Sequence, residues 1–248
     1  MTVRPALFTA RVVALLLAGI ATSVRAEPSP AVPPLALGGD WPAVAAEYRS
    51  TLENGTSTPE VRTWRFWRET DRIEREGVSG GAGERWERDG ATLFLTRLYH
   101  DDRKGIEYRS DDLEILNAAP AWAQLALLVD PTVLTRLAEV DAGWRGGVPV
   151  RHYAGTDRDA RWDVTVRTDL MLPVEVRVTR GASVETLELV RAMPRDRAAF
   201  EPKPIDGYEL IDYADLGDRE RDPFVMRVTA AEGYQHGYAH GPGHGHDH

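Results

Sequence analysis

Trp162, Val164 and Val166 alternate with Asp163, Thr165 and Arg167, and a few residues later Leu172, Val174, Val176 and Val178 alternate with Pro173, Glu175, Arg177 and Thr179. A period of two places each set on opposite faces of an extended chain, so these stretches read as half-buried strands sharing one apolar face. Such strands belong to an antiparallel sheet with one face solvated and one covered. Whatever covers that face must come from elsewhere in the chain.

The same grammar runs from Val61 to Arg109. The stretches VRTWRFWRET, RIEREGV, GERWERDG, ATLFLTRLYH and KGIEYRS are separated by Gly- and Asp-containing breaks, with Asp89-Gly90 a strong hairpin signal. Residues 110–141 are predicted to be helical, with Ser110 and Asp130 as N-caps, Pro131 in a first turn, and apolar residues around Trp122, Leu125, Leu127 and Leu128. A second meander starts near Gly147 and ends with Val184 to Arg191 after a turn at Gly181. At the front, Asp40 as N-cap with Pro42 in the first turn predicts a helix over 41–52. The order helix, meander, helices, meander lacks the strand–helix alternation of a parallel sheet. It predicts an α+β fold, a single curved antiparallel sheet (half-barrel) with helices on one face.

The ends bound where the protein works. Residues 1–26 read as a cleavable signal peptide: Arg4 and Arg11, an apolar run from Val12 to Ile20, and Val24 and Ala26 at the positions signal peptidase prefers. That run is too short to span a membrane, which takes roughly 20 residues, and no later run is longer, so the mature chain is expected to be soluble, not membrane-spanning, and periplasmic. Residues 27–39 form a Pro/Gly-rich leader, 40–228 the folded domain, and 229–248 a His-rich flexible tail expected to be disordered. There is no cysteine, which removes disulfides and thiol metal sites from consideration. Cleavage takes away three arginines and no acids, so 27 basic side chains stand against 39 acidic ones, a net charge of minus twelve. That balance excludes nucleic acid as the expected partner.

The order of elements, the LPVEVRV strand (Leu172 to Val178), the Glu185 to Arg191 strand, and the segment Phe200-Glu201-Pro202 leading to Gly207-Tyr208-Glu209 resemble the periplasmic outer-membrane lipoprotein-sorting carriers and their half-barrel relatives, over roughly residues 40–212. The resemblance implies an unclosed sheet wrapped around helices, with a hollow for the acyl chains of a lipid or lipoprotein. Trp162, Val164, Val166, Leu172, Val174, Val176 and Val178 would then face the hollow. A closed core lined by the same residues accounts for the pattern equally well.

Five histidines lie in the last thirteen residues, His236, His240, His244, His246 and His248, spaced largely by glycine. Neutral imidazoles on a pliable chain suit Ni, Cu, Zn or Co, so capture or handover of a transition-metal ion is the first functional expectation, an exported binding protein rather than an enzyme. Carriage of a lipid, acyl chain or lipoprotein is the alternative. A third reading, a serine hydrolase, rests on Gly77-Val78-Ser79-Gly80-Gly81, which matches G-x-S-x-G but is followed by another predicted strand where the nucleophile elbow needs a helix. The acids Asp212, Asp215, Asp218, Glu220 and Asp222 lack calcium-loop spacing and read as a solvated loop with Arg219 and Arg221. His152 shares parity with Val148 and Val150 and is expected to be hydrogen-bonded and partly buried; His100, before Asp101 and Asp102, reads as a strand-end turn. Trp64 and Phe66 fall on one strand face and Trp67 on the other, with Arg62, Arg65 and Arg68 as stacking partners.

Overall fold

The computed structural model describes residues 30–39 and 41–235. The expected signal peptide and the five tail histidines lie outside them. The chain divides after Ala31, and the unit from Val32 onward carries the fold. Its elements run β1 (Val44–Asn54), β2 (Glu60–Arg68), β3 (Arg72–Gly77), β4 (Gly83–Asp89), β5 (Thr92–Tyr99), β6 (Lys104–Tyr108), α1 (Ser110–Ile115), α2 (Trp122–Leu127), α3 (Pro131–Leu134), β7 (Ala138–Arg145), β8 (Val148–Asp157), β9 (Ala160–Arg167), β10 (Leu172–Arg180), β11 (Ser183–Pro194), β12 (Glu209–Asp212) and α4 (Pro223–Gln235). The strands form one open sheet in the order β12-β6-β5-β4-β3-β2-β1-β11-β10-β9-β8-β7. Two meanders are thus joined back to back through the β1–β11 pair.

That pairing corrects the first expectation. Residues 44–54 are a strand, not part of a helix, and β1 lies mid-sheet, antiparallel to both β2 and β11. Helix-favouring residues such as Ala45 and Ala46 are overridden by tertiary pairing on both sides. Read with period two, the stretch makes sense: Val44, Ala46 and Tyr48 point into the main core, while Ala45 points to the opposite face beside Trp67 and Phe200. A second correction falls at 138–141, the end of the stretch predicted helical, which instead opens edge strand β7. Almost all of β7 is exposed, so it shows no apolar alternation to betray it. A third concerns direction, since β12 lies parallel to β6 in an otherwise antiparallel sheet.

Elsewhere expectation and structure agree closely. The strands β2 to β6 follow the five predicted runs, and Gly90 takes the left-handed backbone (φ 60°) its hairpin requires. Asp130 caps α3, accepting from the Thr132 N–H at 2.8 Å, with Pro131 first in the helix. The cap of α1 is displaced by one residue: Ser110 is already helical, and Asp112 accepts from the Arg109 N–H at 2.9 Å. Helix α4 extends to Gln235, seven residues into the stretch read as tail.

The helices lie on one face of the sheet, here the inner face. Leu113 of α1, Leu125 and Ala126 of α2, and Phe224, Val225 and Val228 of α4 join Phe66, Ile73, Trp86, Leu95, Ile106 and Ile211 in the larger core cluster. Val133 and Leu134 of α3 join Trp162, Val164, Val166, Val176 and Val178 in a second. Across the outer face the chain returns from β11 to β12 as a strap. There Phe200 packs edge-on against Trp67 at 5.7 Å, and the Trp67 indole donates to the Phe200 carbonyl at 3.1 Å.

Candidate functional site

The inner face carries both core clusters, and what roofs it decides how closed they are. The roof over β1–β6 consists of α1, α2 and α4. It is tied to the sheet through Arg68, the last residue of β2 and only 1% exposed. One Nη of this guanidinium donates to the Ala126 carbonyl in the last turn of α2 at 2.5 Å and to Met171 O at 3.0 Å. The other donates to Leu170 O at 2.6 Å and Pro42 O at 3.0 Å, and Nε donates to Pro42 O at 3.1 Å. Three separate chain segments therefore converge on one side chain. Two of the carbonyl groups sit beside left-handed residues, Leu128 just past α2 (φ 57°) and Met171 itself (φ 50°), a conformation uncommon for residues other than glycine. Burial holds the Arg68 pKa down to about 10, so the group is still charged at neutral pH although no carboxylate among the described residues pairs with it. The Tyr48 hydroxyl, donating to Pro173 O at 3.0 Å, is pushed upward by the same burial.

Beside this tie the inner face carries one polar row. Arg75, Glu84 and Arg97 stand opposite one another on β3, β4 and β5. Glu84 is half-buried, which alone would raise its pKa, but Arg75 and Arg97 outweigh burial and hold the carboxyl below its usual range. Arg97 also walls a cleft of about 40 Å³ with Leu95, Tyr108, Leu113, Leu116, Ala118 and Tyr213. That is room for a few waters and far too little for an alkyl chain.

The roof over β8–β11 is thinner. It consists of the single turn α3 and of residues 32–39, an extended stretch in which Leu35 and Leu37 pack on the second cluster. These residues were expected to be part of an extended leader ahead of the fold. Instead Arg151 of β8 donates to the carbonyls of Val32 (3.0 Å) and Pro33 (2.9 Å), and the Trp41 indole donates to Ala36 O at 3.0 Å. The stretch belongs to no strand pair among the described residues.

The predicted apolar face is placed as follows. Trp162, Val164, Val166, Val176 and Val178 are buried together in the second cluster, whereas Leu172 belongs to the first. Val174 is half-buried at a β-bulge between Pro173 and Glu175, which breaks the alternation the sequence suggests. The Trp162 indole N–H is buried with no acceptor among the described residues.

Other expected residues fall outside any such site. Ser79 lies in the turn between antiparallel β3 and β4, so the strand–turn–helix elbow of a hydrolase is not formed. His152 is half-buried, with Nε2 3.0 Å from the Asp163 carboxylate. Trp64 stacks on Tyr48 at 5.0 Å and Arg65 lies over Phe200 at 4.9 Å; the tryptophan-stacked guanidinium is instead Arg88, over Trp122 at 4.7 Å. In the acidic stretch, Asp212 pairs with Arg109 at 2.6 Å and Asp222 with Lys104 at 3.0 Å. No group of three or more His, Cys, Asp or Glu suited to a metal is formed among the described residues.

His100 is more than a strand-end turn. It lies on the outer face under the strap, Nδ1 3.1 Å from the Tyr208 hydroxyl and Nε2 3.5 Å from Glu76, which also accepts from the Lys203 N–H at 2.9 Å. Burial and Lys203 hold its pKa below the usual histidine value, with Asp101 opposing, while burial raises Glu76. Nothing local in the sequence announces this cluster, because its members come from β3, the β5–β6 turn and the strap. Arg68 is equally silent, one arginine among many in a charged strand.

No protein-family model matches the sequence, and no curated protein matches it. Solved structures similar to the chain include PNGF-II (10% identity, 72% of this chain and 32% of that one, TM-score 0.40). They also include the Pseudomonas aeruginosa MucA/MucB complex (16%, 66% and 55%, TM-score 0.37) and a LolA superfamily protein from Nitrosomonas europaea (9%, 65% and 90%, TM-score 0.29). The chain spans about a third to just over half the length of the first two. No helix among the described residues is long and apolar enough to cross a membrane. An open twelve-stranded sheet, antiparallel but for one edge strand, with helices on one face, is the half-barrel arrangement that the sequence resembles.

Proposed function

We propose that the protein is an exported, periplasmic carrier that holds an acyl chain between the inner face of the sheet and the segments that roof it. The observation that carries this reading is the roof. The helices between β6 and β7 are four to six residues long, too short to hold their shape away from the sheet, and one buried side chain, Arg68, ties α2 to the β9–β10 turn and to Pro42. Beneath them the inner face is lined with apolar side chains in both clusters. The existing cleft is too small for a chain, so loading requires part of the roof to move. Native mass spectrometry of gently purified mature protein tests the proposal. One acyl-bearing molecule per chain is expected; protein that is repeatedly free of lipid and does not take up a fluorescent fatty acid would overturn it.

A second reading is supported by sequence. Helix α4 is described as far as Gln235, and His236 follows it directly in the sequence, so the histidine-rich stretch adjoins the described fold. Titrating Ni, Cu and Zn into the mature chain and into one ending at Gln235 is expected to show affinity lost with the tail, at His236, His240, His244, His246 and His248. Equal affinity would remove the tail from the account.

A further inference from the structure

Resting on the carrier reading, we infer that residues 32–39 are a built-in occupant of the ligand site, and that an incoming acyl chain displaces Leu35 and Leu37 and places a carbonyl oxygen on the indole N–H of Trp162.

Three observations support this. First, Leu35 and Leu37 sit on the second cluster as an alkyl chain would, two apolar groups on an extended backbone. Second, that backbone is held without strand pairing. Arg151 holds one end through its hydrogen bonds to Val32 and Pro33, and the Trp41 indole, just beyond the other end, donates to Ala36 O. Pro33 and Pro34 stiffen the stretch in an extended form, so little chain entropy is recovered or lost when it lifts as a unit. Third, Trp162 is 5% exposed and its Nε1 lacks an acceptor among the described residues, a state that buried donors rarely keep. The buried members of its cluster, among them Val164, Val176, Val178, Val133 and Leu137, offer no side-chain acceptor, and the Tyr153 hydroxyl, packed against the same cluster, is engaged with Arg151 and Glu139. An ester or amide carbonyl at the head of an aliphatic chain supplies both missing pieces: apolar bulk in place of the leucines and an oxygen for the indole. A bare hydrocarbon supplies one of them.

The absence of cysteine makes the test clean. A nitroxide attached to Ala36→Cys, an exposed position on the stretch, reports its mobility in the otherwise unchanged mature protein. Saturation with 11-(dansylamino)undecanoic acid is expected to convert an immobile spectrum to a mobile one; an unchanged spectrum with probe bound overturns the displacement. Binding constants for the same probe supply the second arm. A self-occupied site lowers apparent affinity by the fraction of time it is open, so Leu35→Ser/Leu37→Ser is expected to bind about tenfold more tightly, and Arg151→Gln about threefold. Trp162→Phe is expected to bind about fivefold more weakly, through loss of the donor. Equal or weaker binding in both Leu35→Ser/Leu37→Ser and Arg151→Gln overturns the inference and leaves the carrier reading standing, and unchanged binding in Trp162→Phe removes the indole's role. If neither the parent nor any variant binds the probe, the carrier reading falls and the inference with it.

Discussion

The two halves of the sheet bury their inner faces by different means. Over β1–β6, three helices deliver large side chains against Phe66, Ile73, Trp86 and Leu95, and aromatic pairs such as Tyr48–Trp64 and Tyr99–Phe224 fill the gaps. Over β8–β11, valines dominate the floor, and the cover is one helical turn and an unpaired proline-bearing stretch. The first half is built to stay shut. In the second, a modest number of contacts stands between an apolar floor and solvent, and that is where a carrier could open without unfolding.

Arg68 spans the two halves and carries the largest expected effect. Arg68→Met removes five hydrogen bonds at once and leaves the carbonyls of Pro42, Ala126, Leu170 and Met171 short of partners inside the protein. Leaving buried polar groups unpaired in this way costs on the order of 3–5 kcal/mol. Urea unfolding measures it, and a loss under about 1 kcal/mol would mean that the guanidinium does not hold the roof. Arg68→Lys is expected to recover a minor part, since an ammonium cannot reproduce the fork that reaches carbonyls on three segments.

Next in size is a direct contrast between the halves. Phe66→Ala, in the sealed half, is expected to cost about 3–5 kcal/mol through the cavity it leaves. Leu37→Ala, in the thin cover of the other half, is expected to cost about 1 kcal/mol, because the side chain is half-buried and the stretch can settle. Comparable losses would erase the distinction between a shut and an openable half.

How far the sequence reveals this division depends on where the information sits. Strands β2–β6 and β8–β11 are legible because alternation and Gly- or Asp-bearing turns are local properties. Strand β1 is not, since its VAAEYRS composition suits a helix and its strand character comes from β11, distant in the chain. Strand β7 is hidden by exposure. The sheet face that floors the second cluster is readable as an apolar stripe, but the bulge at Pro173/Glu175, beyond which Leu172 joins the other cluster, leaves no trace in the residue pattern. The leader's role was invisible for a related reason: two leucines among prolines and glycines acquire meaning when Arg151 and the second cluster are placed beside them.

The outer face offers a smaller effect, with a sign set by titration. His100 is kept neutral under the strap, so its folded pKa lies below the unfolded value of about 6.5. The stability it contributes is present above that value and is lost as pH falls through the folded pKa. Glu76 and Glu74 run the opposite way, their pKa values raised chiefly by burial. Subtracting the profile of His100→Asn from that of the parent cancels the shared carboxylate contribution. The parent's advantage is expected to shrink steadily below about pH 6.5; a constant difference would show that Glu76, Arg85, Lys203, Asp101 and Tyr208 leave the imidazole free to titrate normally.

The smallest expected effect concerns the far edge of the openable half. Among the described residues strand β7 pairs with β8 and no other strand, so it forms an edge of the sheet. Val140 is 59% exposed on that edge. A bare apolar edge invites strand addition between copies, but this one carries a bulge between Glu139 and Asp141 and charges at Glu139, Asp141 and Arg145, the devices by which edges are kept single. If those guards suffice, Val140→Lys adds a further charge to an edge already protected. It is expected to change stability by less than about 0.5 kcal/mol and leave the sedimentation coefficient unaltered. A fall in sedimentation coefficient on making Val140→Lys would show instead that β7 is an interface, and that the exposed edge, rather than the thin roof, is the part of this half that meets a partner.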